Sequence, residues 1–256
     1  MLQLELNKKN WQLFCTSVFD FFIPRLCPAC KNKLLTDEQF VCYHCLHNIN
    51  TATSTQLQNE FERKFLQDKL ISDFQSLFVF EKDKEFQSII HELKYNGKFR
   101  LGIYLGKLVA INLKEIIRKW NADLIIPVPL HSLKRAERGY NQAYFIAIGI
   151  QKVLNIPISQ SIITRVKFTE SQTTLNILQR KENIKNAFVL KGNKISGKKI
   201  IILDDVVTTG ATTSECAQIL LNANADKVFA LSVAIANLIC FKIKCLFIFT
   251  NNFYRY

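Results

Sequence analysis

Two aspartates at the end of an apolar run are the residues best placed to do chemistry in this chain. Residues 200–212 read IIILDDVVTTGAT. The apolar residues from Ile200 to Leu203 predict a strand buried on both faces of a parallel sheet, and open α/β folds place their ligands at the carboxyl edge of such a sheet. An ionised carboxylate only accepts hydrogen bonds, so Asp204 and Asp205 suit the vicinal hydroxyls of a sugar. They would repel a phosphate set beside them. The phosphate must sit further on, over Val206, Val207, Thr208, Thr209, Gly210, Ala211 and Thr212, where a glycine and small neighbours let backbone N–H groups and a helix N-terminus surround it. The hydroxyls of Thr208, Thr209, Thr212 and Thr213 add donors. A sugar over the acids and a phosphate over the threonines describe a 5-phosphoribosyl group, with Asp204 and Asp205 as the catalytic pair.

A second constellation is Cys27-x2-Cys30-x11-Cys42-x2-Cys45. Each short knuckle presents two thiolates, and the two knuckles together offer the tetrahedral set that a structural zinc ion takes. A module of this size has too little apolar surface to fold unaided, so the metal would supply its stability. Redox-active pairs would need a βαβ context that the surrounding sequence lacks. His44 and His47 read as bystanders beside four cysteines in register. Cys15, Cys216, Cys240 and Cys245 lie in apolar surroundings and read as small hydrophobes.

The third feature is charge. The chain of 256 residues carries a net +13, and residues 132–199 alone hold thirteen basic against three acidic side chains. So local an excess suits a polyanion such as a pyrophosphate, a nucleotide or a nucleic acid strand. The bland alternative is a solvated lysine-rich face. Lys134, Arg135 and Arg138 follow directly on the apolar run LIIPVPL (124–130), at the same sheet edge as the aspartates. Arg165 and Lys167 come next, and basic groups there would screen a departing pyrophosphate together with its Mg2+.

The elements that must position these groups alternate. Strands are expected at 76–81, 124–130, 158–164, 199–204 and 227–236, with helices at 11–24, 83–95, 100–120, 138–154, 174–184 and 212–223. That alternation predicts an α/β domain with a mostly parallel sheet covered by helices on both faces. Residues 1–50 form the helix and cysteine module, 51–70 a polar linker, 71–236 the main domain, and 237–256 an apolar and basic tail. The N-terminus lacks the pattern of a secretory signal, which implies a cytoplasmic protein, and Lys242 and Lys244 argue against a membrane span in the tail. His131 would overlook the crevice, although a surface role is the commoner fate of such a histidine.

The string at 200–212 resembles the 5-phosphoribosyl-1-pyrophosphate (PRPP) signature of type I phosphoribosyltransferases. LKYNGKFRLGIYLG (93–106), IPVPLHSLKRAERGYNQA (126–143) and the segment from Arg165 to Phe188 follow the four-cysteine ribbon and precede that string in the order of the competence protein F (ComF) family. The resemblance covers residues 20–236. It implies a zinc ribbon ahead of a type I phosphoribosyltransferase fold and a link to uptake of single-stranded DNA. It departs at Asn186, where the family commonly has glycine, and in the tail. Two functions follow: an enzyme that takes Mg-PRPP, its acceptor and oligomeric state open, or a non-catalytic module on the same fold that binds single-stranded DNA or a nucleotide.

Overall fold

A computed structural model describes residues 24–81, 84–168, 184–192 and 195–236. The expected helices at 11–24 and 174–184 and the tail at 237–256 fall outside these residues, apart from a residue at the end of each helix. Strands β1 (Phe74–Phe80), β2 (Leu124–Pro127), β5 (Lys199–Val207) and β6 (Lys227–Ala236) form one sheet in the order β1-β6-β5-β2, with every neighbouring pair parallel. Strands β3 (Ile163–Arg165) and β4 (Phe188–Leu190) make a separate antiparallel pair. The mostly parallel α/β architecture expected from the sequence is present.

Alternation along β5 assigns the two faces of the sheet. Ile201 and Leu203 join an apolar cluster with helices α3 (Glu85–Tyr95), α4 (Phe99–Asn112) and α7 (Gln142–Leu154). Ile200 and Ile202 join the opposite cluster with α8 (Ala211–Asn222). Each buried side chain of this kind contributes about 1.5–3 kcal/mol, so a strand apolar at every position must be covered on both sides. The cysteine module packs into the first cluster through Cys27, Leu34, Val41 and Cys45. It therefore shares a core with the sheet.

Several expected elements are cut or shifted for local reasons. The helix expected over 100–120 breaks at Leu113 into α4 and α5 (Lys114–Lys119). The one expected over 138–154 gives way to α6 (Ser132–Arg138) and α7, because Gly139 ends α6 in the left-handed conformation at φ 76°. In place of a strand over 158–164, Ile158 makes a lone bridge to Ile125 before β3 begins. The polar run read as a linker holds α2 (Ser54–Phe61), started by a Thr53–Gln56 capping box, and a π-helical turn over Glu62–Leu66. Its sequence hides the helix because the buried positions, Leu57, Glu60, Lys64 and Phe65, are half charged. Asn186 takes φ 59°, in the left-handed region that asparagine tolerates and that glycine adopts readily.

Helices α4 and α7 approach each other closely through Gly106 and Gly149. A Cβ on Gly106 would stand 2.0 Å from the Ile146 carbonyl oxygen, and one on Gly149 would stand 2.2 Å from that of Ile103. Both obstacles are backbone, so the helices themselves would have to separate. Gly106→Ala and Gly149→Ala are each expected to destabilise by about 1–3 kcal/mol or more, read as a lower midpoint in urea unfolding at unchanged slope.

Candidate functional site

Strand β5 carries Asp204 and Asp205 to the carboxyl edge of the sheet, one strand in from the end of β2. Asp205 is 4% exposed and Asp204 is half-buried. Their environments differ. The Lys94 ammonium lies 2.9 Å from Asp205 Oδ2, and the Gln142 side-chain amide donates to the same oxygen at 3.3 Å. Burial pushes the Asp205 carboxyl up, but Lys94 and the N–H of Val206 outweigh it and hold it below its ordinary value. Asp204 has no ion-pair partner among the described residues, and burial followed by the charge of Asp205 raises its carboxyl to about 7. Two adjacent like charges have been separated into one fixed anion and one that titrates near neutrality.

The loop beyond them closes on Gly210, which takes φ 79° at the start of α8. As the N-cap of that helix, Gly210 has no side chain to cap it, so beyond the Ala211 N–H the first amides of the helix are left for an anion. A small cavity is lined by Asp204 and residues 206–213. Thr208 is exposed and Thr212 half-buried, whereas Thr209 and Thr213 are buried. Thr209 Oγ1 accepts the Ala211 N–H at 3.4 Å.

Of the five basic residues singled out from the sequence, three are half-buried and two are exposed. Lys134, Arg138 and Arg165 are half-buried; burial, then the charges of Arg165, Arg138 and Lys94, lowers the Lys134 ammonium. Arg138 lies 5.3 Å from the Tyr95 ring centre and Arg165 the same distance from that of Phe188. Arg135 and Lys167 are exposed, and neither pairs with the aspartates. His131 caps α6, its Nδ1 accepting the Leu133 N–H at 3.3 Å, and its ring meets Phe168.

Sequence reasoning missed Lys94, Asn141 and Gln142, although all three lie inside the quoted motifs. Asn141 starts α7, accepting the Ala143 N–H at 3.0 Å while its amide donates to the Val128 carbonyl at 3.0 Å. That bond ties α7 to the end of β2 and aims Gln142 at Asp205. The Tyr140 hydroxyl donates to the Leu93 carbonyl and fixes the end of α3, where Lys94 sits. The only signal was position within those motifs: Lys94 precedes Tyr95, and Asn141 and Gln142 follow Tyr140.

The cysteine module builds a second site. The sulfur atoms of Cys27, Cys30, Cys42 and Cys45 all lie within 4.8 Å of one another, and Cys30 and Cys42 are 3.7 Å apart. A tetrahedral ion with metal–sulfur bonds of about 2.3 Å requires sulfur separations near 3.8 Å, and a disulfide would need about 2.05 Å. These four thiols can hold a metal ion. Cys42 starts α1 (Tyr43–Asn48), its Sγ accepting the Cys45 N–H at 3.4 Å. Buried Glu38 braces the two knuckles by accepting from the Leu35 and Tyr43 amides, both at 2.7 Å. His44 and His47 stand outside the cluster, as expected.

The phosphoribosyl transferase domain family matches residues 104–243. Competence protein F of Haemophilus influenzae is 32% identical over 145 residues, covering 55% of this chain and 63% of that protein. The DNA utilization protein YhgH of Escherichia coli (strain K12) is 33% identical over 143 residues, with the same coverages. These matches span under two thirds of each relative. The competence protein ComFC of Bacillus subtilis is 31% identical over 200 residues, covering 77% of this chain and 78% of that one. Among solved structures, a purine phosphoribosyltransferase from Pyrococcus horikoshii is similar at 18% identity and a TM-score of 0.34, over 52% of this chain and 73% of that one. That likeness is too distant to carry weight. No described helix is long and apolar enough to cross a membrane.

The two sites generate separate expectations. Because the Asp204 carboxyl is raised in the folded state, its contribution to stability is full below its unfolded value and fades as pH rises through about 7. Asp204→Asn is expected to flatten that decline and raise the melting temperature at neutral pH by a few degrees, checked by thermal melts from pH 4 to 8. At the cysteine site, Cys42→Ser is expected to lose most of the bound metal, measured by elemental analysis of the purified protein.

Proposed function

Since the chain belongs to the ComF family and carries its phosphoribosyl transferase domain, we propose that residues 204–212 bind Mg-PRPP. The observation that carries this reading is the split acid pair next to a helix N-terminus whose N-cap, Gly210, has no side chain. Asp204 and Asp205 receive the ribose hydroxyls, and the amides and hydroxyls of residues 208–212 receive the 5-phosphate. The pyrophosphate then falls towards Lys94, Lys134, Arg138 and Arg165. Mg2+ arrives with the PRPP and neutralises charge on the pyrophosphate; Asp204, free of any described ion pair, is the carboxylate available to it.

This arrangement suits displacement at the sugar C1. The bond from C1 to pyrophosphate breaks and its electron pair leaves with the pyrophosphate, while an acceptor's lone pair forms the new bond. The carboxylates complement positive charge developing on the ring, and the basic cluster complements the leaving group. No nucleophilic side chain is required. The acceptor is left open by the residues present.

Zinc is the metal we assign to the cysteine module, on its four thiols and their spacing. The names of the relatives support a role in DNA uptake or use. A second reading, a module that binds single-stranded DNA, is favoured by the exposed aromatics Tyr95 and Phe168 beside Arg138 and Lys134.

Calorimetric titration separates the readings. Wild type is expected to bind Mg-PRPP, and Asp204→Asn/Asp205→Asn to lose at least about tenfold in affinity, the equivalent of 1.4 kcal/mol, with metal content unchanged. Lys94→Ala is expected to weaken PRPP more than ribose 5-phosphate, because only the former carries the pyrophosphate. Undiminished binding by the double variant would contradict the assignment. A single strand that binds with a steep salt dependence while PRPP does not would favour the DNA module.

A further inference from the structure

A buried lysine lies behind the phosphate loop, on the segment whose polarity made it look like a linker. The side chain of Lys64 is wholly buried, with Nζ 2.7 Å from Glu60 Oε2 and 3.2 Å from the Ala236 carbonyl oxygen. It also donates to the carbonyl of Thr208, the first threonine of the loop. The neighbouring Phe65 backs the same loop: a Cβ on Gly210 would meet its ring carbon Cε1 at 2.8 Å. Lys64 and Phe65 both belong to the π-helical turn, which precedes the matched domain at residues 104–243.

A buried charge is costly unless it is paired and hydrogen-bonded, so a segment needed only to fill this space would carry an apolar side chain. The bond to Thr208 supplies a reason for the charge. In a planar trans peptide the C=O and the following N–H point in opposite directions. With the Thr208 carbonyl drawn back to Lys64, the Thr209 N–H is directed forward, away from the core. It finds no acceptor among the described hydrogen bonds.

We propose that Lys64 is a positioning residue for the phosphate loop, orienting the Thr208–Thr209 peptide so that the Thr209 N–H faces the bound anion. The idea rests on the reading of residues 208–212 as a phosphate cradle. Lys64 touches no substrate; it acts through the backbone of Thr208. Burial, only partly offset by Glu60, lowers the Lys64 ammonium to about 8. The charged groups bearing on it are Glu60 and Arg63 of its own segment, while the loop and β6 present it with carbonyl oxygens. Loss of its proton above that value would weaken the hold on Thr208.

The test uses the full chain, isotope-labelled, in wild-type, Lys64→Arg and Lys64→Met forms. The wild-type Thr209 and Gly210 amide resonances are expected to titrate with a midpoint near 8 in the absence of ligand, and affinity for Mg-PRPP to fall over the same interval. Lys64→Arg keeps its charge throughout, so both dependences should flatten while binding at neutral pH stays within a few fold of wild type. Lys64→Met should bind Mg-PRPP about tenfold or more weakly, with metal content unchanged. Amides that do not titrate in wild type, or a Lys64→Met protein that binds as tightly as wild type, would overturn the proposal. If the amides titrate and Lys64→Arg abolishes the titration while wild type ignores Mg-PRPP, the positioning role stands and the ligand assignment falls.

Discussion

The placement of two adjacent aspartates at the end of a strand buried on both faces is the constraint on which the rest of this structure depends. Side by side in a poorly solvated position, two carboxylates cannot both stay charged without help. The fold answers by giving Asp205 a cation, Lys94, and an amide, Gln142, and by leaving Asp204 half-buried with its carboxyl raised to about 7. Each helper needs its own support. Tyr140 holds the end of α3 near Lys94, and Asn141 holds the start of α7 at the end of β2. The close approach of α4 and α7 through Gly106 and Gly149 sets where α7 can lie. Packing far from the aspartates thus decides their electrostatics.

The same logic extends to the loop and to the cysteine module. The segment over 54–66 sends Lys64 and Phe65 beneath the loop, and the cysteine module packs its buried side chains into the cluster that covers one face of the sheet. Both N-terminal pieces are therefore parts of the domain's support. Metal binding at the four thiols, which supplies folding free energy to a small module, would be felt in the core into which α3, the helix that carries Lys94, packs.

Much of this was legible in the residues because it follows from local pattern. The apolar run before Asp204, the glycine in a loop of small residues and the two cysteine knuckles each have one dominant physical reading, and the structure places them accordingly. The α/β alternation was equally clear. What escaped was long-range or disguised. Lys94 lies far from Asp205 in sequence, and nothing in LKYNGK announces an ion pair. Helix α2 and the turn after it bury Glu60 and Lys64 as a pair, so their polarity reads as solvent-facing linker. Arg135 and Lys167 are exposed, and neither their type nor their place in a basic stretch distinguishes a crevice-facing side chain from a solvated one.

The most direct measurement of the central claim is a crystal structure of the full chain grown with Mg2+ and PRPP. The account predicts the 5-phosphate held by the amides of residues 208–212, the ribose hydroxyls on Asp204 and Asp205, and the pyrophosphate towards Lys94 and Arg138. A ligand bound only at the basic cluster, with the loop amides and both aspartates untouched, would contradict it.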